Sequence, residues 1–84
     1  MSEVEVGTVI DFFAKVMAAG ITLSDSLRVG DKIHIKGHTT DMEMVVSSMQ
    51  AQNIDIPEGK TGDDLGIKVP DRVRRGDKVY KIIE

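Results

Sequence analysis

The sequence predicts an all-β fold, a small closed antiparallel β-barrel of about six strands. Short apolar stretches recur at intervals of about ten residues along the chain, a spacing typical of β-sandwiches and barrels. No segment has a strong helical repeat of apolar residues. The sequence Gly-Asp-Lys precedes two of the apolar stretches, at Gly30 and at Gly76, and each copy predicts a tight turn that leads into a strand. A barrel is favoured over an open sheet because closure leaves no exposed strand edge.

The first two predicted strands form a hairpin. The segment 3–10 predicts a strand with one face partly exposed to water, in which Val6 and Ile10 share a face. The residues of that face are Val4, Val6, Thr8 and Ile10, and they alternate with Glu3, Glu5, Gly7 and Val9. The segment 12–20 contains alanine and methionine and would by itself favour helix. Its last residue is a glycine followed by two β-branched residues, which pack well in a sheet. We therefore predict a hairpin whose second strand follows that glycine.

The clearest predicted strand covers Lys32–Lys36. Ile33 and Ile35 point to one face, and the polar side chains between and beside them point to the other. The stretch 24–31 before this strand predicts a connection that ends in a tight turn. The stretch 37–41 after it predicts another turn.

The second half of the chain predicts three further strands, at 42–52, 65–69 and 78–83. Proline and glycine interrupt the segments between them, which predicts loops at 53–64 and 70–76. Gly66 is expected where a strand bends or another backbone approaches closely. The positions predicted to have structural turn roles are Gly30, Asp31, Gly62, Asp63, Gly66, Gly76 and Asp77.

Composition limits the classes of protein to consider. A chain of 84 residues with 40% hydrophobic residues fits a single globular domain, residues 1–84. A net charge of −3 does not favour binding to nucleic acid or to an anionic membrane. The chain has no cysteine, which excludes disulfides and thiolate chemistry and fits a cytoplasmic protein. No apolar stretch is long enough to span a bilayer, and the first residues do not resemble a signal peptide.

The charge is distributed unevenly. Between Lys68 and Lys81 six basic residues stand against two acidic ones, a local charge of +4, while the rest of the chain carries −7. A solvated loop is the simplest interpretation of such a cluster. The alternative is a rim that binds RNA phosphates or an acidic protein surface, although the scarcity of aromatic residues argues against stacking of single-stranded RNA. The rim residues are Arg72, Arg74, Arg75 and Lys78.

No set of residues predicts catalysis, a metal site or a cofactor. His34 and His38 do not converge on a strand followed by a turn, so we expect them to be exposed histidines rather than ligands. Asp63 and Asp64 are more simply explained by turn chemistry than by acid–base catalysis. The segment 59–61 matches only the tail of a phosphate-binding loop, without the upstream glycine. We therefore predict a non-enzymatic protein without metal, cofactor or small-molecule substrate.

Several segments resemble domain two of the translation elongation factors Tu and 1-alpha. The matching segments are 27–35, 46–50, 60–69 and 75–79, in the same order and spacing over nearly the whole chain. The resemblance implies the translation-protein type of β-barrel without its GTPase domain. In those factors a glutamate and an asparagine help to form the pocket for the acceptor end of aminoacyl-tRNA. The corresponding residues here are Gln50 and Asp64, and the carboxylate of Asp64 would repel a nearby phosphate.

The chain is also similar to the small barrel appended to collagenase-like peptidases. The segments 33–41 and 48–50 carry this similarity, which is at least as close as the other. It implies a protein-docking accessory that acts with a peptidase, or with a GTPase, as its partner.

Two functions therefore remain open on sequence alone. The first is a binding module that contacts RNA, tRNA or a translation-related protein through the basic rim and the neighbourhood of Gln50 and Asp64. The second is the protein-docking accessory. Neither involves a membrane.

Overall fold

The computed structural model describes residues 2–83, which form ten β-strands and no helix. The predicted all-β class is confirmed. Within these residues no helix could cross a membrane. The strands are β1 (Ser2–Phe13), β2 (Ala18–Leu23), β3 (Leu27–Arg28), β4 (Lys32–Lys36), β5 (Asp41–Val45), β6 (Met49–Ala51), β7 (Ile54–Asp55), β8 (Glu58–Gly59), β9 (Asp64–Lys68) and β10 (Lys78–Ile83).

Eight of the strands form one antiparallel sheet in the order β5-β4-β10-β1-β2-β9-β6-β7, and β3 pairs with β8 in a separate ribbon. The predicted closed barrel of about six strands is wrong, because neither sheet closes on itself within the described residues. The reason lies in the predicted strand 42–52. Its first part, β5, pairs with β4, and its last part, β6, pairs with β9. Between these two strands the main-chain N–H of Val46 donates to the carbonyl of Asp31, and the carbonyl of Val46 accepts from the N–H of Gly30. Val46 therefore pairs with a turn rather than with a strand of the sheet.

The predicted loop 53–64 is also more ordered than the sequence indicates. It contains the two short strands β7 and β8, which pair with β6 and β3 respectively. A strand of two residues is too short to show an alternating pattern. The proline and glycine residues of this segment therefore predict a loop.

Two β-bulges change which side chains of β1 point inward. The register shifts between Glu5 and Gly7 and again between Val9 and Asp11. Each inserted residue reverses the alternation of side chains between the two faces. As a result Val6 and Val9 are buried while Ile10 is exposed. The prediction that Val6 and Ile10 share one face is therefore wrong.

One hydrophobic core lies on the inner face of the large sheet and extends under the β3–β8 ribbon. Ile33, Ile35 and Ile67 all belong to it, as their alternation with polar neighbours predicts. Their neighbours in the core come from β1, β2, β3, β6, β9 and β10 and from the connections between strands. The core therefore ties together residues that are far apart in sequence.

Three turns share one structure. They end in Gly30-Asp31, Gly62-Asp63 and Gly76-Asp77, and each glycine has a positive φ, between 90° and 99°. In each turn the aspartate main-chain N–H donates to the carbonyl three residues earlier, and its carboxylate accepts from that residue's N–H. Gly66 differs from the other predicted turn positions because it lies in the middle of β9.

Replacing Gly76 by alanine should lower the free energy of unfolding by roughly 1–2 kcal/mol, because an L-residue is strained at positive φ. A Cβ at this position meets no atom within 4 Å, so the loss would come from the backbone alone. Urea unfolding of the variant measures the loss. Gly66→Ala is the matched control, since that glycine lies within a strand with space above it. Equal stability of Gly76→Ala and the parent protein would contradict this account of the turn.

Candidate docking groove

A groove of about 750 Å³ lies over β2 and β9, where the β1–β2 and β6–β7 hairpins border it on either side. We call it the hairpin groove. Its lining residues are Ile10, Asp11, Phe13, Ala14, Lys15, Val16, Ala18, Gly20, Gln50, Gln52, Asn53, Asp64, Leu65 and Gly66.

Two glycines form the floor of the hairpin groove. Gly20 pairs with Gly66 across β2 and β9, Asp11 stands beside Gly20 on β1, and Gln50 stands beside Gly66 on β6. The residues before and after each glycine are buried, so the missing side chains would point outward. A Cβ on Gly66 would meet only the carbonyl oxygen of Ala19, at 3.8 Å. Packing therefore does not require glycine at position 66, and the absent side chain leaves open space.

The two hairpin turns beside the groove contain every non-glycine residue with positive φ among residues 2–83. Met17 ends the turn between β1 and β2, with φ of 50°. Gln52 and Asn53, with φ of 52° and 65°, form the two-residue turn between β6 and β7. Positive φ at both central positions is the requirement of a type I′ hairpin turn. Such unfavourable backbone conformations cluster at functional sites, so they draw attention to this part of the surface.

Three large apolar side chains are exposed at the groove. The exposed fractions of Ile10, Phe13 and Val16 are 42%, 50% and 53%. Ile10 points outward because the first bulge in β1 turns Val9, the residue before it, inward. The other two lie at the end of β1 and in the turn that follows. Grouped apolar side chains on a surface are typical of a binding site.

Polar groups line the remaining part of the groove. The Thr22 hydroxyl donates to the Asp64 carboxylate at 2.7 Å, and no lysine, arginine or histidine nitrogen of residues 2–83 lies within 4 Å of that carboxylate. The side-chain amide of Gln50 donates to Asp55 at 2.9 Å, which orients it. The structure therefore brings Gln50 and Asp64 to the same groove.

The basic rim does not converge on this groove as one unit. The guanidinium of Arg72 lies 6.0 Å from the centre of the Phe12 ring, and the Lys78 ammonium lies 3.9 Å from Glu5. Arg75 alone among the four has a side-chain atom within 4 Å of a carboxylate that lines the groove, at 3.9 Å from Asp11. Arg74 donates its main-chain N–H to Asp77 in the turn described above.

His34 lies between two carboxylates. Its Nδ1 is 2.7 Å from Glu3 Oε2, its Nε2 is hydrogen-bonded to Asp41, and its side chain is only 12% exposed, which corrects the prediction of an exposed histidine. The hydrogen bond with Asp41, and then that with Glu3, raises the pKa of His34. The same contact lowers the pKa of Asp41. Within residues 2–83 no group of three or more histidine, aspartate or glutamate side chains has an arrangement that could hold a metal ion.

The raised pKa of His34 should make stability depend on pH. Its stabilising contribution is complete below pH of about 6.5 and is lost as pH rises through the folded-state pKa. The contribution of Asp41 is complete above pH of about 4 and is lost as pH falls through its lowered pKa. The pair therefore contributes most between these limits. Urea unfolding of His34→Gln at pH 5.5 and pH 8.5 should show a smaller difference than the parent protein, whereas His38→Gln keeps the parent's difference. An unchanged pH difference in His34→Gln would refute the carboxylate contacts.

Comparison with known proteins gives one sequence relative and a shared fold, and no family model matches the chain. The chain is 42% identical over 83 residues to an uncharacterized protease of Methanocaldococcus jannaschii. The match covers 98% of this chain but 20% of the protease, so the chain spans about a fifth of the length of that relative.

The fold matches the C-terminal domain of a Geobacillus thermoleovorans protein assigned to the U32 peptidases. The crystal structure of its selenomethionine variant superposes with a TM-score of 0.88 and 14% identity, over 92% of this chain and 98% of that domain. A second crystal structure of the domain gives a TM-score of 0.87 and 14% identity, over 93% and 91% of the two chains. At this identity the likeness shows the fold alone.

These comparisons correct the sequence interpretation. The translation-factor interpretation, with the RNA or tRNA contact that it implied, is wrong, because the matching proteins are a protease and a peptidase domain. The Gly-Asp motifs that carried it occur in three turns with the same hydrogen bonds, so they report turn geometry rather than ancestry. The second resemblance is supported: the chain is similar to one domain-sized part of a protease and has the fold of a U32 peptidase C-terminal domain.

Proposed function

We propose that this chain is a non-catalytic docking domain that acts with a peptidase of the collagenase-like type. The observation that carries the proposal is the match of 98% of the chain to a fifth of a protease. A protein segment of this size, with its own core and turns, is what an accessory domain provides.

The chemistry of the described residues supports the non-catalytic part of the proposal. His34 has a carboxylate hydrogen-bonded to each ring nitrogen, so neither nitrogen is free to accept a proton from a nucleophile. No serine or threonine hydroxyl of residues 2–83 is hydrogen-bonded to a histidine. The sequence has no cysteine to act as an alternative nucleophile.

A proteolysis assay tests this function. The purified chain alone should leave fluorescein-labelled gelatin intact, whereas the collagenase-like peptidase of the same cell should cleave it at a rate that changes when the chain is supplied. The change in the rate of gelatin cleavage would result from docking of the chain to the peptidase, because the chain adds no catalytic groups. Cleavage of gelatin by the purified chain, lost in His34→Gln, would contradict the proposal.

A further inference from the structure

We propose that the hairpin groove binds an extended segment of unfolded substrate polypeptide in which an apolar side chain stands next to lysine or arginine. The inference rests on the proposed function for the source of the segment, since a peptidase acts on polypeptides.

The apolar half of the groove selects an apolar side chain. Ile10, Phe13 and Val16 are each about half exposed and border the same cavity as Ala18. A leucine or phenylalanine side chain of the ligand would cover part of this surface and release the water that contacts it.

The charges of the groove select a basic neighbour. Asp64 has a hydroxyl donor but no cationic partner within 4 Å among the described residues. Asp11 accepts from the main-chain N–H of Phe12 at 2.8 Å. Its one cationic partner among the described residues is the largely exposed guanidinium of Arg75 at 3.9 Å, which solvent screens. Lys15 is the lysine among the lining residues, and it lies in the β1–β2 turn. A lysine or arginine of the ligand would therefore meet a carboxylate on the β9 side of the groove.

The floor and the second hairpin favour an extended main chain. Gly66 presents no side chain, and a Cβ there would meet only one oxygen, so a ligand backbone can approach the sheet closely at this point. Above Gly20 a Cβ would already contact Asp11 and Phe13, so these side chains border the open part of the floor. The side-chain amides of Gln50, Gln52 and Asn53 stand along one border, and amides can both donate to and accept from peptide groups. Hydrogen bonds to peptide groups do not depend on the sequence of the ligand. The preference for an apolar residue next to a basic one comes from the apolar and acidic parts of the groove.

The size of the groove favours a transient substrate over a permanent subunit contact. A volume of about 750 Å³ lies within the range of sites for small ligands and holds only a few residues. A stable protein–protein interface takes roughly 20–30 residues from each partner, more than the few residues that one such groove holds. Weak binding of a short segment would allow a substrate to be released after it is cut.

Fluorescence anisotropy with a labelled octapeptide tests the inference. The probe is a glycine–serine peptide with one leucine followed by one lysine, and a second probe has glutamine in place of the lysine. The lysine peptide should bind the parent protein with a dissociation constant below about 1 mM. Gly66→Leu fills the floor, where a Cβ meets one oxygen at 3.8 Å, and should weaken binding at least about ten-fold. Asp64→Asn should weaken the lysine peptide several-fold and leave the glutamine peptide unchanged.

Matched variants separate these effects from general damage. Val45→Leu adds apolar bulk on the edge strand β5, and Glu43→Gln removes an exposed carboxylate from the same strand. Both should bind the peptides like the parent protein, and urea unfolding should show that all four variants are folded. Absence of binding by the parent protein up to about 1 mM, or equal binding by Gly66→Leu, would overturn the inference.

Two further measurements exclude other occupants of the groove. The sedimentation coefficient of the parent protein should be that of a monomer, and a dimer that dissociates in Gly66→Leu would overturn the inference in favour of a second copy. The peptidase should still bind Gly66→Leu. Loss of the peptidase in that variant would overturn the inference because the groove would then be the docking surface. Failure of the proposed function would give a different result. The peptide would still bind the groove, but the peptidase would bind neither the parent protein nor any variant.

Discussion

Replacing Ile35 by alanine is expected to lower the free energy of unfolding by about 2–4 kcal/mol, and Ile67→Ala is expected to do the same. The two side chains are 0% and 1% exposed and belong to one core cluster. Removing three carbon atoms from either side chain loses the transfer free energy of those atoms and leaves a cavity. The rigid sheet around the cavity can close it only in part.

Urea unfolding of the two variants measures this cost, and Val45→Ala is the control. Val45 is exposed on β5, so its truncation should change stability by less than about 0.5 kcal/mol. A loss below about 0.5 kcal/mol for Ile35→Ala or Ile67→Ala would mean that the inner face of the sheet is assigned wrongly.

The second large effect concerns Gly37, which leaves room for a buried carboxylate. A Cβ at Gly37 would overlap Asp77 Oδ1 and lie 2.6 Å from Asp77 Cγ. The carboxylate cannot simply rotate away, because its Oδ2 accepts from the main-chain N–H of Arg74 at 2.8 Å. Gly37→Ala should therefore cost about 1–3 kcal/mol, as overpacking of a filled interior does.

A double-mutant cycle tests whether the cost comes from this contact. Asp77→Ala alone should cost about 1–3 kcal/mol, because it leaves the N–H of Arg74 without its partner. In the double variant the overlap is gone, so the total loss should be smaller than the sum of the two single losses by at least about 0.5 kcal/mol. Additive losses in urea unfolding would show that Gly37 acts in some other way.

Much of the local structure could be predicted from the sequence. The strands Lys32–Lys36 and Lys78–Ile83 have the predicted bounds, because a Gly-Asp turn precedes each. In the first of them isoleucine also alternates with polar side chains. The turns at Gly30 and Gly76 have the positive φ that the Gly-Asp motif requires. These features depend only on residues that are close in sequence, so they can be predicted from the local sequence pattern.

The features that depend on pairing could not be predicted in the same way. The sequence of segment 42–52 predicts one strand. In the structure the main-chain hydrogen bonds of Val46 with Gly30 and Asp31 divide this segment into two strands, and no barrel closes. His34 on β4 is hydrogen-bonded to Asp41 on the neighbouring strand β5 and to Glu3 on β1, which lies beyond β10. Whether these three side chains meet depends on the register of all four strands. A one-residue change of register would move these side chains to the other face.

The candidate site shows the same division. The sequence comparison singled out Gln50 and Asp64 as neighbours, and both line the hairpin groove, although the translation role attached to them is wrong. The apolar side of the groove was missed because the bulge between Glu5 and Gly7 turns Val9 inward and Ile10 outward, and this bulge leaves no clear sequence signal. Gly66 was expected at a place of close approach, because it is a glycine within a predicted strand. Its partner Gly20 precedes the predicted second strand, so the pair depends on the register of β2 and β9.

The most direct test of the account is a calorimetric titration of the purified chain into the collagenase-like peptidase of the same cell. The expected result is a saturable one-to-one complex that is unchanged by nuclease. Absence of heat and of a complex at the highest concentrations that can be reached would contradict the proposal that this chain is a docking domain for a peptidase.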